Sequence, residues 1–356
     1  MPDASPASST ATGSGPGRIR PKFAVVAPPN LTIISPALAA ANNGNWHTAR
    51  RWSAFLAAGH RVEVRTDWRP SDGFGGDPSA APDAMIALHA RRSAAPLARF
   101  AATGRPVALV MTGTDLYRDI AADADAQRSL RLADRIVVLN DRGADALPAD
   151  LRARATVIVQ SAAVRRPLPP RRRTLDLLLV GHLRPEKDPL TAARALARLS
   201  DPRLRLVHAG GVADVACGAA FDAAAAADPR IERRGPLPHG EARRLIARGR
   251  LLLLPSVMEG GANVAIEAVT SGTPVLASRI DGSVGLLGED WPAYFPPGDD
   301  AALAALVDRC LREEAFAAGL RARCAALAPR FAPAREREAV RALVHTLLDR
   351  PPRSPA

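Results

Sequence analysis

The sequence predicts an α/β protein of two doubly wound domains, each a parallel sheet sandwiched by helices, facing a central cleft. Three features lead to that prediction. From residue 22 onward, short apolar runs alternate with amphipathic stretches of helical length. Strands that are apolar throughout, rather than every second residue, belong to parallel sheets covered on both faces. The alternation breaks once, at RRPLPPRRR (residues 165–173), and then resumes for a second stretch of similar length. A chain of 356 residues also suits two domains better than one.

In the first half, strands are expected at residues 23–27, 62–65, 85–88, 107–111, 136–139 and 157–159. Helices are expected at 46–58, 93–102 and 124–132. The first helix shows its period directly, because Ala49, Trp52, Ser53 and Leu56 fall on one face at i, i+3, i+4 and i+7. Pro167, Pro169 and Pro170 cannot continue a helix or a central strand, so 165–173 reads as a linker. The second half carries strands at 175–180, 204–209, 251–254 and 274–277, with helices at 189–199, 239–247 and 264–271 between them. Residues 301–312, 315–327 and 336–348 read as consecutive helices. The expected organisation is therefore a tail at 1–20, a first domain at 21–164, the linker at 165–173, a second domain at 174–330 and a closing helix within 331–350.

Composition narrows the function class. Hydrophobic residues make up 47% of the chain and charged residues 24%, enough for sizeable cores in a soluble protein. The N-terminal MPDASPASSTATGSGPGRIR has no apolar core of a secretory signal, and its Ser, Pro, Gly and Ala content predicts a disordered tail. No apolar run reaches membrane-spanning length. Cys217, Cys310 and Cys324 are sparse and odd in number, which fits a reducing cytoplasm better than a disulfide framework. No Cys/His cluster has zinc-site spacing, so neither metal nor cofactor is expected. The formal charge of +12 invites a nucleic-acid partner, but the arginines are scattered and aromatics are only 4%. Stacking on bases needs more. Small anionic substrates are the better match, with no nucleic acid and no stable membrane association expected.

In doubly wound sheets, ligands bind beyond the carboxyl ends of strands. The strongest such segment is PSVMEGGANVAIEAVTSGTPVLAS, residues 255–278. Glu259 sits on the loop, Gly260 and Gly261 permit close backbone approach, and Ala262, Asn263 and Val264 open a helix carrying Glu267. A carboxylate there can accept two hydrogen bonds from a vicinal diol. The bland alternative is a capped surface helix with a solvated glutamate. The second segment is LLLVGHLRPEKDPLTAARAL, residues 177–196. After the strand come Gly181, His182, Arg184 and Lys187, and Pro189 opens the next helix. Cationic groups at a strand end suit a diphosphate, although PEKD would also make an ordinary solvated turn.

These two segments resemble the donor domain of GT-B glycosyltransferases of the large retaining type. EGGANVAIEAVTSGTPVLAS is similar to their E-x7-E segment, GHLRPEKD to their Gly-Arg-x-x-x-x-Lys loop, and YFPPGDDAALAALV (residues 294–307) to the segment that follows. The resemblance implies a GT-B fold of two Rossmann-like domains, with the final helix returning to the first. It also implies a nucleotide-sugar donor: Glu267 on the ribose, Glu259 and the backbone of residues 260–263 on sugar and diphosphate, and Lys187 on the phosphates. His182 stands where those enzymes usually carry arginine, so Arg184 is the alternative source of a guanidinium.

In the first half, ANNGNWHTARRW, MIALHARRSA and VMTGTDLYRDI together resemble the selenosugar synthase family of the selenoneine pathway. That family joins selenophosphate to the anomeric carbon of a UDP-sugar and releases UDP. The resemblance places Asn42, Asn43, Gly44, Asn45, His47, Arg91 and Arg92 on the acceptor side. His89, just after an apolar strand, would point into the cleft as a catalytic residue beside Glu259 and Lys187, or be a structural strand-end histidine. Thr112, Gly113, Thr114 and Asp115 form a turn at another strand end, with capping as the alternative role of Asp115. Tyr117, Arg118, Gln160 and Ser161 are supporting candidates, while His60, His208, His239 and His345 read as structural. A hydroxyl acceptor, a UDP-sugar epimerase and a non-catalytic nucleic-acid module remain the competing readings.

Overall fold

The computed structural model describes residues 27–41, 43–169, 171 and 173–349. The first domain begins with β1 (Asn30–Ile34), α1 (Gly44–Leu56) and β2 (Arg61–Arg65). It continues through β3 (Ala84–Leu88), α2 (Ala94–Ala101) and β4 (Val107–Val110) to a π-helical turn at Asp115–Asp119. Then come α3 (Ile120–Ala122), α4 (Ala124–Leu132), β5 (Arg135–Val138) and β6 (Ala155–Val157). All pairings are parallel, in the order β2-β1-β3-β4-β5-β6.

The second domain contains β7 (Leu175–Val180), α5 (Pro189–Ala197), β8 (Leu204–Ala209), α6 (Val215–Ala227), β9 (Ile231–Arg233) and α7 (His239–Arg248). It goes on with β10 (Leu251–Leu254), α8 (Asn263–Val269), β11 (Val275–Ser278), α9 (Asp281–Leu287) and β12 (Tyr294–Phe295). Helices α10 (Asp300–Arg312), α11 (Glu314–Leu327) and α12 (Pro333–Leu348) follow. Its sheet is also parallel, ordered β12-β11-β10-β7-β8-β9. Strand order reverses between β1 and β3 in one sheet and between β7 and β10 in the other. At such switch points adjacent loops diverge and leave a crevice.

Local chemistry explains the element ends. Asn43 caps α1 by accepting from the Trp46 N–H, and Asp214 and Asp299 cap α6 and α10 in the same way. Thr48, Ala49, Trp52 and Leu56 form the buried stripe of α1, with Ser53 at its half-buried margin. Helix α12 leaves the second domain and packs against α1, where Val340, Leu343, Val344 and Leu347 complete the core on one face of the first sheet. The linker runs along the second domain, with the Arg165 N–H donating to Thr270 O and the Leu168 N–H to Ala247 O.

Several expectations differ from these elements. The first described strand is NLTII at Asn30–Ile34, whereas residues 23–26 of the expected strand lie outside the described residues, as does the tail at 1–20. The last strand of the first domain is β6, two residues earlier than expected. Four elements had no clear signal. Alanine-rich α6 has no apolar stripe, α9 contains two glycines, and the edge strands β9 and β12 are only three and two residues long.

Glu336 joins α12 to α1. Its fully buried carboxylate accepts from Arg51 Nε at 2.7 Å, from Trp52 Nε1 at 2.7 Å and from Ser161 Oγ. Glu336→Ala leaves these donors unpaired, and removing one partner of a buried pair costs about 3 kcal/mol. Arg51, which is partly exposed, can recover some hydration, so urea unfolding should show a loss of about 2–3 kcal/mol with secondary structure retained.

Candidate functional site

A cleft of about 570 Å³ opens between the carboxyl ends of the two sheets. Its second-domain wall is built by the loops that diverge after β7 and β10. Lys187 comes from the first loop and Glu259 from the second, and Lys187 Nζ donates to Glu259 Oε1 at 2.5 Å. Ser256 Oγ donates to the same oxygen at 2.6 Å, so the nearly buried carboxylate is both charge-paired and oriented. The backbones of the two loops also meet, with the Val257 N–H donating to Glu186 O. Glu267 faces the cleft from α8, one oxygen accepting from His239 Nε2 at 2.6 Å.

Gly181, His182 and Arg184 line the same wall. His182 Nδ1 accepts from the Gly211 N–H at 3.0 Å, which leaves Nε2 as its donor nitrogen. Behind them, the fully buried His208 at the end of β8 donates from Nε2 to Gly181 O at 2.9 Å. Burial pushes its pKa down to about 4, against a smaller upward pull from that hydrogen bond.

The first-domain wall is polar. Asn43, Gly44, Asn45, His47 and Thr48 present the start of α1, and His89, Arg92, Thr112, Gly113 and Thr114 follow β3 and β4. His89 holds a left-handed backbone at φ 74°, and its Nδ1 lies 3.4 Å from the Arg92 N–H as acceptor. Nε2 therefore carries the proton and donates to Thr114 Oγ1 at 3.1 Å. Burial lowers the pKa of His89, only partly offset by Asp115 and Asp119, so the ring is neutral at physiological pH. Burial, followed by His239, lowers that of His47 as well.

The walls meet backbone to backbone. A Cβ on Gly113, which has φ 133°, would stand 2.8 Å from Gly260 N, and one on Gly260 would stand 2.7 Å from Gly113 N. Asn140 Nδ2 donates to Gly260 O at 2.8 Å and to Tyr117 Oη at 3.0 Å. Gln160 reaches Thr48 on one side and lies against Gly261 on the other. Arg118 bridges to Glu186 across the cleft at 2.7 Å.

Residues 174–313 match the family model described as "Glycosyl transferases group 1". That match lies within the second domain. Two Mycobacterium tuberculosis proteins named glycogen synthase are each 34% identical over 165 residues, or 44% of this chain. That match spans only 38% of those relatives' length. Among solved structures, Anabaena HepE in complex with UDP and glucose superposes with a TM-score of 0.70 at 15% identity, covering 90% of this chain and 100% of that one. Sucrose-phosphate synthase from Thermosynechococcus elongatus gives 0.68 at 19% identity, covering 90% and 99%. The fold is GT-B.

Within the second domain, every candidate expected on the donor side lines the cleft: Gly181, His182, Arg184, Lys187, Glu259, Gly260, Gly261, Ala262, Asn263, Val264 and Glu267. Two first-domain candidates are corrected. Asp115 is fully buried and accepts from the N–H groups of Ala90, Thr112 and Gly113, so it ties two loops together instead of meeting an acceptor. Arg91 is spent on Asp119 at 2.9 Å and does not line the cleft. Asn42 lies outside the described residues. His239, read as structural, is instead a lining residue bound to Glu267. A histidine beginning a helix after a proline carries no sequence signal of a carboxylate 28 residues away. Among the described residues, no group of three or more His, Cys, Asp or Glu is placed to hold a metal ion.

Two predictions follow from this geometry. Gly260→Ala forces a Cβ into the opposing backbone without demanding an unusual φ, and overpacking of this kind costs about 1–3 kcal/mol. Small-angle scattering should show a more open particle, and turnover should fall about ten- to hundredfold. The second concerns His208, whose folded pKa is depressed below an unfolded value of about 6.5. Its contribution is present above pH 6.5 and is lost as pH falls towards 4, because the unfolded chain then binds the extra proton. Urea titrations should show His208→Gln flattening the acid limb of the stability profile by about 3 kcal/mol.

Proposed function

We propose that this protein transfers the sugar of a UDP-sugar to selenophosphate, giving a selenosugar and UDP. The donor half of that reading rests on the Lys187–Glu259 pair beside Glu267 at the switch point of a domain that matches the group 1 glycosyltransferase model. HepE, solved with UDP and with UDP-glucose, supports a uridine nucleotide. Glu267 accepts from the ribose hydroxyls, and Glu259 faces the sugar. Lys187, Arg184 and the open backbone of residues 260–263 take up the charge that grows on the diphosphate as the C1–O bond breaks.

The acceptor half rests on the first-domain wall. Among the described residues, that wall holds Arg92 and two histidines but no carboxylate. The nearest acids, Asp115 and Asp119, are tied up in loop and arginine contacts. His89 Nε2 already carries its proton, and Nδ1 is engaged by the backbone. A sugar hydroxyl needs a base to become a nucleophile, whereas a selenophosphate anion does not. Its selenium supplies the electron pair to C1, the C1–O pair leaves with UDP, and water then cleaves the Se–P bond to release phosphate. Closure of the Gly113–Gly260 contact keeps water from the donor during transfer. A hydroxyl acceptor is the second reading, favoured by relatives named glycogen synthase and sucrose-phosphate synthase.

Incubation with several UDP-sugars and selenophosphate, thiophosphate, a hydroxyl acceptor or none separates these readings. Mass spectrometry should find a seleno- or thiosugar in step with UDP. UDP release with the hydroxyl acceptor alone would reject selenophosphate and keep the donor assignment. Glu267→Ala should weaken UDP binding about ten- to hundredfold in calorimetry, as expected for lost hydrogen bonds to a charged group.

A further inference from the structure

The cleft contains one contact between side chains that the donor reading does not use. His239, the first residue of α7, donates from Nε2 to Glu267 Oε1 at 2.6 Å. Its ring also packs against that of His47 in α1, with centroids 4.8 Å apart and planes inclined by 33°. The pair thus joins the two domains directly beside Glu267. His239 is half exposed while Glu267 is mostly covered, so the imidazole is a lid over the carboxylate rather than part of a core. Arg243, one turn further along α7, is buried, attracts the same carboxylate, and donates to Ala163 O at the start of the linker. Helix α7 of the donor domain and α1 of the acceptor domain therefore meet beside Glu267.

We infer that His239 is a positioning residue for donor binding: it fixes one oxygen of Glu267 so that the other is presented to a vicinal diol, and His47 holds its ring in place when the domains close. This inference rests on the assignment of Glu267 to the ribose. A carboxylate at the end of a freely rotating Glu side chain loses rotamer freedom when it binds. Engaging one oxygen beforehand removes part of that cost. The second oxygen can then take one or both hydroxyls of the diol. The imidazole contributes nothing to a nucleotide that lacks the diol, so its effect should depend on the sugar.

The test is calorimetric binding of UDP and 2′-deoxy-UDP to the full chain and to His239→Ala, His239→Gln, Glu267→Ala and the His239→Ala/Glu267→Ala double variant. His239→Ala should weaken UDP about three- to tenfold and narrow the preference for UDP over the deoxy nucleotide. Gln keeps an N–H donor at similar reach and should restore most of both. The double variant should bind no more weakly than Glu267→Ala alone, because His239 acts through Glu267. An unchanged ribose preference in His239→Ala, with that preference lost in Glu267→Ala, would overturn the role of His239 and leave the donor assignment standing. Unchanged UDP affinity in Glu267→Ala would overturn both.

Discussion

The arrangement of this site depends on two glycines that let the domains touch through their backbones. Gly113 and Gly260 come from different sheets, and any side chain on either would push the walls apart. Asn140 then bridges the second-domain carbonyl of Gly260 to Tyr117 of the first domain. Ion pairs such as Arg118–Glu186 and Arg142–Asp281 surround the contact, but their arginines are substantially exposed. Exposed pairs contribute about 0–1 kcal/mol each. Close packing therefore decides whether the cleft closes, and the ion pairs mainly fix its orientation.

The same contact explains why residues distant in sequence act on one small volume. Lys187 and Glu259 flank the switch point of the second sheet, and His89 follows β3 beside the corresponding point of the first. The start of α1 is brought to the cleft by α12, the last helix, through the buried carboxylate of Glu336. The position of Asn43 and His47 at the acceptor wall is thus governed by residues nearly 300 positions away. A substitution on α12 can disturb the cleft without touching it.

Much of this was legible in the chain. Continuous apolar runs marked the central strands, with β7, β8 and β10 found at their observed limits, because burial on both faces leaves no room for polar residues. The residues expected on the donor side gather along one wall of the cleft, because they follow strand ends of one sheet. The misses have physical causes. Alanine on every side hides the period of α6, and edge strands as short as β12 need little apolar sequence. Asp115 and Arg91 looked available because sequence records charge but not partners; Asp115 Oδ2 holds the Ala90 N–H, and Arg91 holds Asp119. His239 was missed for the converse reason, since its partner Glu267 lies on another helix.

The two walls differ in a way that bears on chemistry. The second-domain wall carries four carboxylates: Glu259 is engaged by Lys187, Glu267 by His239, Glu186 by Arg118 of the first domain, and Asp214 by the Cys217 N–H. The first-domain wall has hydroxyls, amides, one arginine and two histidines, and the proton of His89 is already placed on the nitrogen nearest Thr114. A wall with an arginine and hydrogen-bond donors but no carboxylate suits an acceptor that arrives already ionised, as the proposed selenophosphate would. On Glu259, Lys187 and Ser256 both bind the same oxygen, Oε1. On the proposed reading, charge on the acceptor and charge relief on the leaving group belong to opposite walls. The Gly113–Gly260 contact holds those two walls together.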